Sequence, residues 1–240
     1  MEREYIKVNR PAFSFPNNTN LLRSLDDEFW KSWIFFHLLT FYKDYDRVEL
    51  KQLINKEKAK KHSKIEDSIA KYIRNWLNNK CRDFYLNFRA FGENTNDEDI
   101  EGYYDITIHN TYWQNRDFHF ECKNLNEKQD LINKYVYYDT YRPDFLKYDG
   151  GVYRYFNGKY SQGQNFGGLL GFVLEGDIEM IKTQIINKMR IPFNVTPQGD
   201  LLSIQENAIL GNQFTFNSTH KRDNCNFLLH HILLQLDSIP

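Results

Sequence analysis

Apolar residues at the start of the chain recur at helical spacing. After an extended lead-in over residues 1–19, residues 20–43 place apolar side chains on one helical face, with Asn20 as a possible cap. A second helical region is predicted from about residue 47 to residue 79, with a basic first half and an apolar stripe in its second half. That stripe comprises Ile65, Ile69, Tyr72, Ile73, Trp76 and Leu77.

The middle of the chain changes to short apolar runs of the kind that form strands. We predict a strand over residues 84–91, an acidic loop that spans residues 93–101, and two strands over residues 103–108 and 118–123 with a turn near Asn115. A polar, tyrosine-rich connection follows over residues 135–148.

The remainder of the chain mixes both patterns. The predicted elements are a strand–turn–strand over residues 150–160, a strand over 168–174, a helix from Asp177 to about Arg190, a short strand over 214–216, and a buried final helix from Asp223 or Asn224 to about Leu236. We therefore expect an α/β fold with a mixed central sheet flanked by helices. We place an N-terminal extension and helix at residues 1–45, ahead of a single domain over residues 46–240.

Composition restricts the class of protein. The 240 residues are 41% hydrophobic with a formal net charge of −1, so the chain has neither a disordered composition nor a strongly basic surface. The longest apolar run, residues 33–41, is far below the ~20 residues of a membrane span. Three widely spaced cysteines fit neither a zinc motif nor a disulfide framework, and the first residues do not resemble a signal peptide. We therefore expect a cytoplasmic protein.

Strand alternation separates the chemical groups of the two central strands. On residues 118–123 the apolar Phe118, Phe120 and Cys122 share one face, whereas His119, Glu121 and Lys123 share the other. On residues 103–108 the expected core face carries Tyr104, Ile106 and Ile108, which turns Asp105 to the opposite side.

If these strands are neighbours, Asp105, Glu121 and Lys123 meet on one face. Two carboxylates make a site for a hard cation such as Mg²⁺ or Mn²⁺. Such a metal polarises a phosphoryl oxygen and activates water, and a nearby lysine stabilises the charge that develops.

The sequence Asp105, fifteen residues, then Glu121-Cys122-Lys123 resembles the PD-(D/E)xK, or restriction-endonuclease-like, superfamily. The resemblance implies a metal-dependent nuclease with Asp105, Glu121 and Lys123 as catalytic residues. It implies metal ligation by Asp105, Glu121 and the backbone carbonyl of Cys122. A glutamate on a preceding helix often completes such sites, and Glu66, at the edge of the apolar stripe, is a better candidate than Asp67. The family's proline before the aspartate is absent, because Tyr104 stands there.

Ordinary structural roles remain open for these residues. Glu121 and Lys123 could form an exposed ion pair on an edge strand, and Asp105 could be a strand-end turn residue. Glu66 could be a helix-surface acid that pairs with a lysine. A thiol nucleophile at Cys122 is disfavoured because His119 faces the other way. The lysine-rich run over residues 56–64 could grip a phosphate backbone or form a solvated helix face.

Two later segments carry basic groups that could bind substrate. Arg154 and Lys159 lie on the predicted hairpin, and His220 and Arg222 lie just before the predicted last helix. Similar arrangements recur in nuclease-like proteins that this chain resembles, several of them associated with bacterial antiphage defence.

We therefore predict a Mg²⁺-dependent endonuclease, with Mn²⁺ as a substitute, that cuts DNA in preference to RNA, as a candidate effector subunit of a prokaryotic defence system. A regulatory ATPase, a sensor protein and a second copy of the chain are candidate partners. The alternative is a non-catalytic nucleic-acid-binding or assembly subunit on the same fold. A third option is a hydrolase that uses the acidic loop at residues 93–101.

Overall fold

The structure is a computed structural model of the chain. A mixed seven-stranded sheet forms the centre of the protein. The structure describes residues 19–83, 87–92, 104–114, 116–142, 145–157, 160–161, 163–192, 199–209 and 212–236. The strands are β1 (Phe88–Phe91), β2 (Ile106–Asn110), β3 (Asp117–Leu125), β4 (Tyr138–Arg142), β5 (Phe145–Asp149), β6 (Phe166–Val173), β7 (Leu201–Glu206), β8 (Thr215–Arg222) and β9 (Cys225–Gln235).

Six α-helices accompany the strands in the described part of the chain. They are α1 (Thr19–Arg23), α2 (Asp27–Asp44), α3 (Arg47–Lys58), α4 (Ile65–Asp83), α5 (Gln129–Tyr135) and α6 (Ile178–Met189). Aspartate side chains cap three of them by accepting a hydrogen bond from a first-turn amide: Asp26 caps α2, Asp46 caps α3 and Asp177 caps α6. The helix predicted from Asp177 to about Arg190 is confirmed.

The large sheet has the order β1–β2–β3–β6–β9–β8–β7, and β4 and β5 form a separate hairpin. The pairs β3–β6 and β6–β9 are parallel, and the other neighbours are antiparallel. Side chains from α2, α3 and α4 pack in one core cluster, and side chains from α5 and α6 pack in a second. The predicted α/β fold with a mixed sheet flanked by helices is confirmed.

Helix α2 belongs to the main core rather than to a detached extension. Its Trp30, Trp33 and Phe35 are buried in the same cluster as Phe118 and Phe120 of β3. The Phe35 ring meets the Phe118 ring edge-on at 5.5 Å between centroids. The domain boundary placed at residues 45 and 46 stays a prediction, since a shared core does not by itself define a boundary.

The helix predicted at the end of the chain is wrong. Residues Cys225–Gln235 form β9, which lies inside the sheet between β6 and β8. Its Ile232 and Leu234 pack in one core cluster, and its Leu229 and Leu233 pack in the other. Because both faces of the strand are buried, its apolar run lacks the alternation that distinguishes a strand from a buried helix.

Two other strand predictions need correction. The described residues of the predicted strand–turn–strand, 150–157 and 160, form no strand: Gly150 turns the chain with φ of 140°, and Tyr153–Tyr155 form a 3₁₀ turn. β2 begins at Ile106, so Tyr104 and Asp105 precede the strand. Tyr104 does not join the Ile106 core face, because its ring stacks on His119 at 4.0 Å between centroids.

The two N-terminal helical predictions are correct in type but not in length. The first divides into α1 and α2, and the second divides into α3 and α4. Among the described residues, no helix is long and apolar enough to cross a membrane. The predicted acidic loop at residues 93–101 and the turn at Asn115 lie outside the described residues.

Candidate functional site

Strand β3 carries the centre of the candidate site. It lies between β2 and β6, so it is an interior strand. Phe118, Phe120 and Cys122 are buried in the core cluster shared with α2 and α4, as the alternation predicts. Glu121 points to the other face and is only 1% exposed. The alternative of an exposed ion pair on an edge strand is therefore wrong.

Helix α4 and the segment before β2 bring two further carboxylates to this strand. Glu66, in the first turn of α4, accepts hydrogen bonds from Lys123 Nζ and from the backbone amide of Asn124 at 2.9 and 3.0 Å. Asp105 accepts a hydrogen bond from the backbone amide of Cys122 at 2.6 Å. Asp67, by contrast, has a half-exposed side chain near Lys64. The structure thus brings Glu66, Asp105, Glu121 and Lys123 together.

Three oxygen atoms surround the ammonium group of Lys123. Glu121 Oε1 lies 2.6 Å from Nζ, the carbonyl oxygen of Cys122 lies at 2.7 Å, and Glu66 Oε1 lies at 2.9 Å. These distances are typical of charge-assisted hydrogen bonds. The ammonium group of Lys123 therefore occupies the position at which these oxygen atoms converge.

Two further donors, Arg154 and Tyr160, hold the Glu121 carboxylate. Arg154 donates to Glu121 Oε1 at 2.8 Å, and its Nε and second terminal nitrogen donate to the two oxygens of Asp149 at 2.7 and 3.1 Å. The Tyr160 hydroxyl donates to Glu121 Oε2 at 2.8 Å. Gly151, near these groups, packs closely on the end of α5, since a Cβ there would lie 2.8 Å from the carbonyl oxygen of Tyr135.

Electrostatics in the site depend on burial and on the crowded carboxylates. Burial, followed by the charge of Glu121, raises the pKa of Asp105 from 3.8 to about 7. Burial alone would lower the pKa of Lys123, but Glu121, Glu66 and Asp105 outweigh it and raise that pKa above its ordinary range. The lysine is therefore charged at neutral pH, whereas the Asp105 carboxyl is divided between its two protonation states.

The oxygen donors have the chemistry that a hard cation requires, but they are engaged with cations of the protein. Among the described residues, no group of three or more His, Cys, Asp or Glu side chains is arranged to hold a metal ion. Carboxylate and carbonyl oxygens nevertheless converge on one point, now filled by Lys123 Nζ. Glu66, Glu121 and the Cys122 carbonyl, with Asp105 beside them, supply oxygen atoms of the kind that Mg²⁺ and Mn²⁺ prefer as ligands.

The residues predicted to bind substrate have separate locations. Arg154 lies in the site, on Glu121. Lys159 lies outside the described residues. His220 is fully buried in β8, where its Nδ1 is hydrogen-bonded to the Gly199 carbonyl and its Nε2 to Ser218. It therefore does not lie at a surface that substrate could contact.

Arg222 and Cys122 also differ from simple surface groups. Arg222 donates to the backbone carbonyls of Ser161, Gln164 and Tyr160, which supports the segment that carries the Tyr160 hydroxyl. The Cys122 side chain is fully buried, and burial raises its thiol pKa well above the ordinary value. A thiolate nucleophile at Cys122 has no support from this placement.

Asp149 and Tyr160 were not predicted as members of the site. Asp149 precedes Gly150-Gly151, a pattern that indicates a turn and gives no sign that its carboxylate binds Arg154. Tyr160 follows an Asn-Gly turn signal and is one of 16 tyrosines, so its residue type does not mark it. Only the tertiary path of the chain after β5 brings Arg154, held by Asp149, and Tyr160 to Glu121.

Comparison with known proteins adds no assignment to this geometry. No protein-family model matches the sequence, and no curated protein or solved structure matches the chain. The chain is an α/β protein with a mixed, helix-flanked sheet. The functional argument therefore depends on the cluster of side chains described above.

Proposed function

We propose that the chain is a metal-dependent nuclease of the PD-(D/E)xK type that hydrolyses phosphodiester bonds, with DNA as the preferred substrate. The observation that carries this proposal is the convergence of Glu66, Glu121 and the Cys122 carbonyl on one cation position beside Asp105. The placement of the acid and the Glu-x-Lys sequence on adjacent segments, with a glutamate from the preceding helix, supports the resemblance seen in the sequence.

Each residue has a role that its position allows. Glu66, Asp105, Glu121 and the Cys122 carbonyl would hold Mg²⁺ or Mn²⁺, which would polarise the phosphoryl oxygen of the substrate. Lys123, freed from the carboxylates, donates Nζ hydrogens to the negative charge that develops on the phosphoryl group. Arg154 and Tyr160 hold the Glu121 carboxylate in a fixed orientation.

The same contacts require a rearrangement before catalysis. Lys123 neutralises the carboxylates in the structure, so it competes with an added cation for their oxygens. A substrate phosphate is an anion and draws the ammonium away. We therefore propose that substrate binding and metal binding support each other at this site.

The direct test is incubation of plasmid DNA and of RNA with the purified full chain, with Mg²⁺ or with EDTA. We expect DNA cleavage that needs Mg²⁺ and is lost in Glu121→Gln. Cleavage that continues in EDTA, or a Glu121→Gln protein that cuts as fast as the wild type, would overturn the assignment.

A non-catalytic nucleic-acid-binding or assembly subunit is the second candidate. It is favoured by the full set of protein donors on Glu121, since Lys123, Arg154 and Tyr160 already occupy both of its oxygens. A subunit of that class binds nucleic acid without cutting it in Mg²⁺ or Mn²⁺. The defence role, the regulatory ATPase or sensor, and self-association stay predictions.

A further inference from the structure

A cavity of ≈ 540 Å³ lies beside the candidate site, and Asp105 is part of its lining. It lies where the α3–α4 connection meets α4, the end of β1 and the start of β2. Its lining consists of Glu57, Lys60, His62, Lys64, Asp67, Ser68, Lys71, Arg74, Gly92 and Asp105. This volume falls in the range of about 300–1,000 Å³ that is usual for sites of small ligands.

One side of α4 supplies most of the cavity's positive charge. Lys64 immediately precedes α4, and Ser68, Lys71 and Arg74 follow it at intervals of three or four residues, so the four residues lie along one side of the helix. Lys64 is 4.0 Å from Asp67, and both side chains are more than half exposed, so that pair binds weakly. Lys71 is exposed and has no ion-pair partner among the described residues.

Arg74 joins the cavity to the candidate site. Its guanidinium donates to the backbone carbonyl of Asp105, which fixes it at the inner end of the cavity. A Cβ at Gly92 would lie 2.6 Å from Arg74 Cζ, so the glycine leaves room for this side chain. Cations thus continue from the open end of the cavity to the carboxylate cluster.

We propose that this cavity binds the phosphodiester backbone of one nucleic-acid strand, a proposal that rests on the proposed nuclease function. Lysines on a single helix face match a row of phosphates. Among the described lining residues, His62 is the one aromatic ring, so the cavity offers charge and hydrogen bonds rather than a platform for bases. Its size suits one or two nucleotides of an unpaired strand and excludes a duplex.

The test measures strand binding apart from cleavage. Fluorescence anisotropy with the full chain in EDTA compares a labelled single-stranded oligonucleotide, the matching duplex, and competition by a free nucleotide. The cavity variant is Lys64→Gln with Lys71→Gln. The matched control is Lys43→Gln with Lys80→Gln, which removes the same charge from exposed lysines of α2 and α4 that do not line the cavity.

We expect the cavity variant to raise the Kd for the single strand by about tenfold at 0.1 M salt. We also expect it to reduce the salt dependence of log Kd by about 0.7 for each lost phosphate contact. The control should bind as the wild type does, and thermal melting should show that both variants are folded. An equal effect of both variants, unchanged binding by the cavity variant, or binding of the free nucleotide or the duplex alone overturns the proposal.

The strand-binding measurement does not depend on whether the chain cleaves the strand. If the strand binds in the cavity but is never cut in Mg²⁺ or Mn²⁺, the proposed nuclease fails while the cavity assignment stands. If the chain cuts DNA and the cavity variant binds and cuts as the wild type does, the cavity assignment alone fails.

Discussion

Two hydrogen-bonded networks lie side by side on one face of the sheet, and they have opposite characters. Glu121 of β3 pairs in register with Leu169 of β6, and Leu169 pairs with His231 of β9. The Glu121 network is ionic and includes Lys123, Arg154 and the carboxylates of Glu66, Asp105 and Asp149. The His231 network is composed of neutral groups, although His231 is as fully buried as Glu121.

In the neutral network, one consistent set of hydrogen-bond donors and acceptors gives each histidine nitrogen a partner. His220 Nδ1 must donate to the Gly199 carbonyl, because a carbonyl only accepts. Ser218 then donates to His220 Nε2 and accepts from His231 Nε2, and the Tyr135 hydroxyl donates to His231 Nδ1. Burial lowers the pKa of His220 to about 4 and that of His231 well below its ordinary value.

The difference separates a structural network from a functional one. Removing a member of a fully paired neutral network leaves buried groups without partners and lowers stability. Removing the Asp105 carboxylate, whose pKa is raised by burial and by the charge of Glu121, removes an ionised form that the fold disfavours, so stability rises while function is lost. Stability and activity should therefore respond in opposite ways at the two networks.

The largest effect is expected from Lys123→Met. Loss of the ammonium should slow DNA cleavage in Mg²⁺ by about 10²–10³-fold, because the charge that develops on the phosphoryl group loses its donor. Rates of plasmid nicking measure it. Lys134→Met, at an exposed position on α5, is the control and should cut normally. A Lys123→Met enzyme with the wild-type rate contradicts the role.

Asp105→Asn should abolish most cleavage yet stabilise the folded protein. The pKa of Asp105 is raised to about 7 in the folded state, against 3.8 ordinarily. Between these values only the unfolded chain releases the proton, so the free energy of unfolding falls as pH rises from about 4 to about 7. The free energy of unfolding of the Asp105→Asn variant should not show this decrease, because asparagine does not titrate.

Urea denaturation at several pH values checks this prediction. The stability advantage of Asp105→Asn over the wild type should grow between pH 4 and pH 7 and then stay constant. An advantage that is absent at pH 8, or largest at pH 4, would show that Asp105 is not destabilised by its neighbours.

Ser218→Ala should lower stability by about 1–3 kcal/mol, since it leaves both His220 and His231 with an unpaired buried nitrogen. The cleavage rate per folded molecule should be unchanged. Urea denaturation and cleavage assays on the same preparation measure both quantities. Ser203→Ala, on the exposed face of β7, is the matched control and should change stability by less than about 0.5 kcal/mol.

The smallest effect is expected from Tyr160→Phe. It removes one hydrogen bond to Glu121 but leaves Lys123 and Arg154 in place, so cleavage should slow by about fivefold. The loss should appear in kcat rather than in KM, because Tyr160 positions a carboxylate and does not touch substrate. Tyr112→Phe, in the β2–β3 turn, should match the wild type, and a change confined to KM would contradict the positioning role.

Local periodicity was sufficient to predict one half of the site. The two-residue repeat of β3 separated Cys122 from Glu121 and Lys123, and helical geometry selected Glu66 over Asp67. Both patterns are set by backbone geometry within a few residues, so tertiary structure does not alter them.

The other half of the site depends on the path of the chain. Arg154 and Tyr160 reach Glu121 through the Gly150 turn and the 3₁₀ turn, where the sequence favoured a hairpin. The sequence of β9 predicts a helix because burial on both faces of the strand removes the alternation of apolar and polar residues. The sequence predicts a surface position for His220 for the same reason, because β9, the strand that pairs with β8, does not show strand alternation.

Calorimetric titration with Mn²⁺ tests the central claim most directly. In the absence of nucleic acid, the wild type should bind weakly, Lys123→Met should bind more tightly because the competing ammonium is gone, and Glu121→Gln should lose binding. Lack of Mn²⁺ binding in all three proteins, or equal binding in all three, would contradict a cation site formed by Glu66, Asp105 and Glu121.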